Sequence, residues 1–213
     1  MQESAIASHV HDAIRQVRDL RRRVLDAERF TGYSGQTRVV GGVVALLAAV
    51  VMSRPWYPRS VEAHLVGWAV VAAVAVVGNY SALLIWFFFD PRSRPDIRRL
   101  VPTVDAFPPL LVGAALTISL ILAGQFDLLF GVWMALYGLA NLSSRRVLPR
   151  AMWPLGAYYI LSGCVFLFWP GGSFTSPWGM GLVFFFGELV GGFIFHCNRR
   201  PDAPFSSFFT GGG

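Results

Sequence analysis

Six stretches of this chain are apolar over nearly a membrane's thickness, and they leave few residues with which to build a soluble surface. They run approximately over 37–53, 62–89, 103–123, 128–144, 151–169 and 177–196. A helix needs about 20 mostly apolar residues to cross about 30 Å of hydrocarbon. One such run can hide in a soluble core, but six cannot when charged residues are only 14% of the chain; a soluble domain carries about 25%. The expected fold class is therefore all-α: a polytopic membrane protein with six transmembrane helices as three antiparallel hairpins. An N-terminal cytoplasmic amphipathic helix precedes them. The expected division is a head over 1–34, a membrane domain over 35–197 and a cytoplasmic tail over 198–213.

All 18 basic residues are Arg, and their positions predict the orientation. Sixteen lie in the head, in the 90–102 and 145–150 connections, in the tail, or at Arg38 by the start of the first run. Only Arg54 and Arg59 fall on the other side. The positive-inside rule places the Arg-rich side in the cytoplasm, which puts both termini there, as an even number of spans requires. The expected location is a bacterial inner membrane. Trp56, Tyr57, Trp169 and Trp178 fall at the outer ends of runs, where an aromatic belt belongs.

The head carries a different pattern. Val10, Val17 and Val24 are seven apart, and Ala13, Leu20 and Ala27 interleave with them. That is an a/d seam over three heptads. Asp12, Asp19 and Asp26 each precede an Arg by three residues, a spacing that permits helical ion pairs. Two readings stay open: a helix lying on the anionic inner leaflet, and an association element in which Val10, Val17, Leu20 and Val24 join copies or grip a protein partner. No nucleic-acid module surrounds the "RRR" of 21–23, so no nucleic-acid partner is expected.

The sixth run holds one acid, Glu188, within "GMGLVFFFGELVGG". With the run centred near residue 186, Glu188 lies about 3 Å from the midplane at 1.5 Å per residue. A charged acid there costs about 2.5–3.5 kcal/mol, so it is expected to face the bundle interior and find a partner. Asn79, Tyr137 and Ser162 lie at similar depth in other runs and are the expected partners. Gly187 and Gly191 form a GxxxG beside the acid, and Gly192 follows, so these three are expected helix-packing positions. No Arg falls at that depth by sequence, so Glu188 is expected to be a neutral packing group. Glu188→Gln is then expected to leave the fold close to wild type.

Catalytic and metal-binding signals are absent. The chain has no HExxH, GxSxG, P-loop or CxxCH, and Cys164 and Cys197 make no CxxC pair. His64 and His196 fall at opposite ends of their runs. No cofactor and no metal are expected. The functional expectation is a non-enzymatic scaffold, regulatory protein or complex subunit; the alternative is a small transporter or channel with Glu188 on its route.

At "RRVLPRAMWPLGAYYILSG" and "SPWGMGLVFFFGELVGG" the chain resembles a group of uncharacterised small six-helix bacterial inner-membrane proteins. The similarity runs from "FTGYSG" at 30–35 to about residue 195. That group carries an amide where Glu188 stands, which argues against an obligatory proton-carrying acid. The resemblance implies architecture only, with no activity, cofactor or site residue.

Overall fold

The computed structural model describes residues 14–18, 35–89, 107–144, 148–168 and 172–199, the side chains of 79, 80, 82–89 and 199 excepted. The chain divides into two compact units, Met1–Phe30 and Thr31–Gly213. In the first unit, the described residues 14–18 are helical and Val17 is exposed. Val10, Leu20 and Val24 lie outside the described residues, as does the tail from residue 200.

The described part of the second unit is helical, with no strand. Its helices are α1 Gly35–Met52, α2 Val61–Phe89, α3 Phe107–Leu122, α4 Leu129–Ser143, α5 Trp153–Phe168 and α6 Trp178–Arg199. Short 3-10 turns, Phe126–Leu128 and Arg150–Met152, lead into α4 and α5. Five segments are long and apolar enough to cross a membrane, and α3, at 16 residues, is a shorter apolar helix. These bounds fall within a few residues of the apolar runs, because a span's length and apolarity are properties of local sequence.

Large apolar side chains cover the outside. Val40, Leu47, Val70, Val77, Leu116, Leu122, Leu161, Phe168 and Phe186 are all exposed. The inside holds two clusters of large side chains, one around Phe130, Met134 and Phe174 and one around Met152, Leu155 and Tyr159, together with buried glycine and alanine and the polar His64, Asn141, Ser144 and Glu188. The apolar outside suits a lipid surround, where close packing at small residues, more than apolar burial, draws helices together.

The tightest contacts are not within the expected hairpins α1–α2, α3–α4 and α5–α6. They join α1 to α6 and α4 to α5, whereas α5 touches α6 only sparsely. Buried residues on α1 recur at Gly35, Gly42, Ala45, Ala49 and Met52, a heptad-like stripe. It meets the stripe Gly181, Glu188 and Gly192 of α6 running the other way. A Cβ on Gly192 would lie 2.6 Å from the Gly35 carbonyl oxygen, one on Gly42 would lie 2.9 Å from the Glu188 Cβ, and one on Gly181 would strike Ala49. The α4–α5 seam is built alike and is also antiparallel. Gly131 meets Gly163, and Gly138 meets Gly156, with added Cβ atoms 2.6–3.2 Å from the facing carbonyl oxygens. These side-chain-free surfaces bring backbones together, and hairpin connectivity does not decide which faces carry them.

The outer helices attach by fewer contacts. Trp133 on α4 donates its indole N–H to Thr117 Oγ1 on α3 at 2.9 Å, and Thr117 donates to the Gly113 carbonyl at 2.7 Å. The α3–α4 turn uses Gly124 at φ +67°, a left-handed conformation that glycine adopts without a Cβ penalty. Beside it, Asp127 Oδ1 accepts from the Phe174 backbone N–H at 2.8 Å and ties this turn to the one before α6.

Candidate functional site

Four helices converge on Glu188. It sits midway along α6 with its side chain 7% exposed, opposite Arg38 of α1, whose side chain is 11% exposed. Arg38 Nη2 donates to Glu188 Oε1 at 2.9 Å. Arg38 Nε lies 2.8 Å from Oε2, an ion-pair contact too poorly aligned to count as a hydrogen bond. Tyr137 of α4 and Tyr159 of α5 each donate a phenolic O–H to Oε1 at 2.8 Å. Three hydrogen bonds thus end on one carboxylate oxygen. An ionised carboxylate is an acceptor only, and an Arg guanidinium is a donor only and always charged. The pair is complementary in both charge and hydrogen-bonding role.

The second contact of the Arg is Asn141. Its Nδ2 donates back to the Tyr137 carbonyl at 2.9 Å, one turn earlier in α4. This leaves Oδ1 to accept from Arg38 Nη1 at 3.3 Å. Around these polar atoms stands an aromatic wall. Tyr137, Tyr159 and Phe184 have ring centroids 4.9–5.2 Å apart. The guanidinium carbon lies 5.8 Å from the Phe195 ring centroid and 6.0 Å from that of Tyr137, within cation–π range.

Glycines make room for this cluster. A Cβ on Gly187 would collide with the Tyr159 hydroxyl, and one on Gly191 would lie 2.9 Å from Arg38 Nε. The GxxxG on α6 therefore accommodates a tyrosine head and a guanidinium, while Gly192 admits the α1 backbone. The polar cluster spans the place where α5 and α6 touch little, and it clasps the α1–α6 pair to the α4–α5 pair.

Several expectations change. Tyr137 reaches Glu188. Ser162 does not bond to it among the described residues; its partner is Tyr158, whose hydroxyl also donates to the Val183 carbonyl at 3.1 Å. The Asn79 side chain lies outside the described residues. Tyr159, Asn141 and Arg38 had no place in the sequence-based cluster. Arg38 is the main correction: it is a largely buried partner of Glu188, which is therefore not a lone acid. Cα depth alone does not show this pairing. Gly42 faces Glu188, and Arg38 lies four residues away along α1, about 6 Å of helix. A long Arg side chain covers that distance with its stem on apolar surface. A signal was available, because Arg38 falls on the same 3-4 stripe as Gly35, Gly42, Ala45 and Ala49. Tyr159 falls likewise between Gly156 and Gly163.

Chemically the cluster is a network of charges and hydrogen bonds that, among the described residues, pairs no nucleophile with a base. Among the described residues, no group of three or more His, Cys, Asp or Glu could hold a metal ion. No protein-family model matches the chain, and no curated protein or solved structure matches it significantly.

Proposed function

We propose that this is a six-span protein of a bacterial inner membrane, with both termini in the cytoplasm, acting without enzymatic activity as a scaffold, regulatory protein or complex subunit. Support for the spans comes from five long apolar segments and the shorter apolar α3. Support for the orientation comes from Arg placement, which stays lopsided once Arg38 is removed from the count. The seam that sets Gly35 beside Gly192 also brings the start of α1 and the end of α6 to one end of the bundle.

One observation carries the functional reading. The acid most suggestive of a transport route is engaged by groups of three other helices, and the glycines around it approach so closely that a methyl group would collide. Such a site holds helices in place. The bundle then serves as a platform, with its apolar flanks in lipid and its head as the element that joins copies or a protein partner.

Two measurements on the purified full chain test this. Its mass in mild detergent is expected to exceed that of one chain plus detergent, and Val17→Asp with Leu20→Asp is expected to lower it. A proteoliposome screen of protons and small solutes is expected to give no flux above protein-free vesicles. Flux that changes in a folded clasp variant would overturn the scaffold reading and favour a transporter with Glu188 on its route.

A further inference from the structure

A second buried polar group lies at the other end of the bundle, near the Met52–Val61 turn. His64, in the first turn of α2, is 1% exposed. Its Nδ1 lies 2.9 Å from the Ser60 carbonyl oxygen. A carbonyl only accepts, so Nδ1 carries the hydrogen, and in the neutral ring Nε2 carries the lone pair. That Nε2 is buried and has no hydrogen-bond partner among the described residues. One turn on, Trp68 is 4% exposed and its indole N–H is also without an acceptor among the described residues.

The surroundings of His64 are soft and aromatic. The Tyr57 ring stands edge-on to the imidazole at 5.3 Å and 83°. Its hydroxyl is already committed to the Ala63 carbonyl at 2.7 Å. Met52 is 5% exposed, in the same buried cluster as Trp68. Its Sδ and the Tyr57 hydroxyl both border Gly67, 2.7 and 2.9 Å from where a Cβ would stand. Gly67 is one turn on from His64 in α2, so Met52 Sδ and the imidazole both neighbour Tyr57 at the start of this helix.

We propose that this end of the bundle binds a soft monovalent d10 cation, Cu(I) or Ag(I), with His64 Nε2 and Met52 Sδ as its ligands and Trp68 closing the wall. Thioether sulfur selects such ions over hard ones, and imidazole suits them too. Metal-binding imidazoles commonly donate their other N–H to a backbone carbonyl, which fixes the tautomer, as Ser60 does here. Two ligands satisfy a d10 monovalent ion. They do not satisfy Zn(II), which takes four nitrogen, sulfur or oxygen ligands. An apolar wall also tolerates a single charge better than a double one.

The test uses the full chain with Cys164→Ser and Cys197→Ser, so that thiols cannot capture the ion. The protein in detergent is incubated with Ag(I) and then with Zn(II), desalted, and its metal content measured by mass spectrometry. Stoichiometric Ag(I) and no Zn(II) are expected. Met52→Leu, which nearly conserves volume, and His64→Gln are each expected to weaken Ag(I) binding at least about tenfold. Circular dichroism identifies the variants that remain folded, and X-ray absorption of bound silver is expected to show one nitrogen and one sulfur neighbour. Absence of silver from the parent chain would overturn the proposal. So would wild-type retention in folded Met52→Leu, or an absorption spectrum without sulfur.

Discussion

Arg38 and Glu188 face each other across the α1–α6 seam, with Nε 2.8 Å from Oε2 and Nη2 2.9 Å from Oε1, at positions 150 residues apart in the chain. Each charge is buried, and each has its neutralising partner only because two sequence-distant helices pack through glycine.

Glu188→Gln is therefore expected to be damaging, although an amide nearly matches the shape of the acid. It leaves Arg38 charged and unpaired in the interior. Removing one member of a buried ion pair costs about 3–5 kcal/mol. Thermal unfolding in detergent should show a large drop for Glu188→Gln and for Arg38→Gln. The double variant Arg38→Leu with Glu188→Leu should recover much of the loss, since no orphan charge remains. A Glu188→Gln midpoint equal to wild type would show that the charge pair contributes nothing.

The two neighbouring tyrosines of α5 should separate in the same assay. Tyr159→Phe removes a donor to a charged acceptor, worth about 1.5–3 kcal/mol. Tyr158→Phe removes a bond to a neutral carbonyl, worth about 0.5–1.5 kcal/mol. Equal losses for the two would count against an ionised carboxylate at Glu188.

Glycine substitutions should be position-specific. A Cβ on Gly163 would lie 2.6 Å from both the Ala135 nitrogen and the Gly131 oxygen, backbone atoms that cannot swing aside. Gly163→Ala is expected to cost about 1–3 kcal/mol through overpacking. A Cβ on Gly41 meets nothing within 4 Å among the described residues. Gly41→Ala is expected to be neutral or to stabilise by up to about 1 kcal/mol, the helix-propensity difference. The ratio of the two unfolding shifts reads the α4–α5 seam directly.

Topology follows from the orientation proposed above. Reporter fusions after Gly124 and Gly172 should report the periplasm, and fusions after Arg94 and at the C-terminus should report the cytoplasm. A cytoplasmic signal at Gly124 would break the six-span arrangement.

The sequence alone determined the helices and their approximate ends, because apolar runs of membrane length specify a span locally, whatever packs beside it. It also singled out Glu188 as a buried acid needing partners, Tyr137 as a group at matching depth, and Gly187, Gly191 and Gly192 as places of close approach. Tertiary structure decided how the helices pair. The closest pairs are α1 with α6 and α4 with α5, since small-residue faces, not chain order, bring backbones into contact. Tertiary structure also decided that Arg38 belongs to the core. Its position near the start of the first span reads as a topology charge, and rotation about the helix axis together with the reach of a long side chain turns it toward Glu188. Neither rotation nor reach is a local property of sequence, so the charge pair became visible only once the helices were placed.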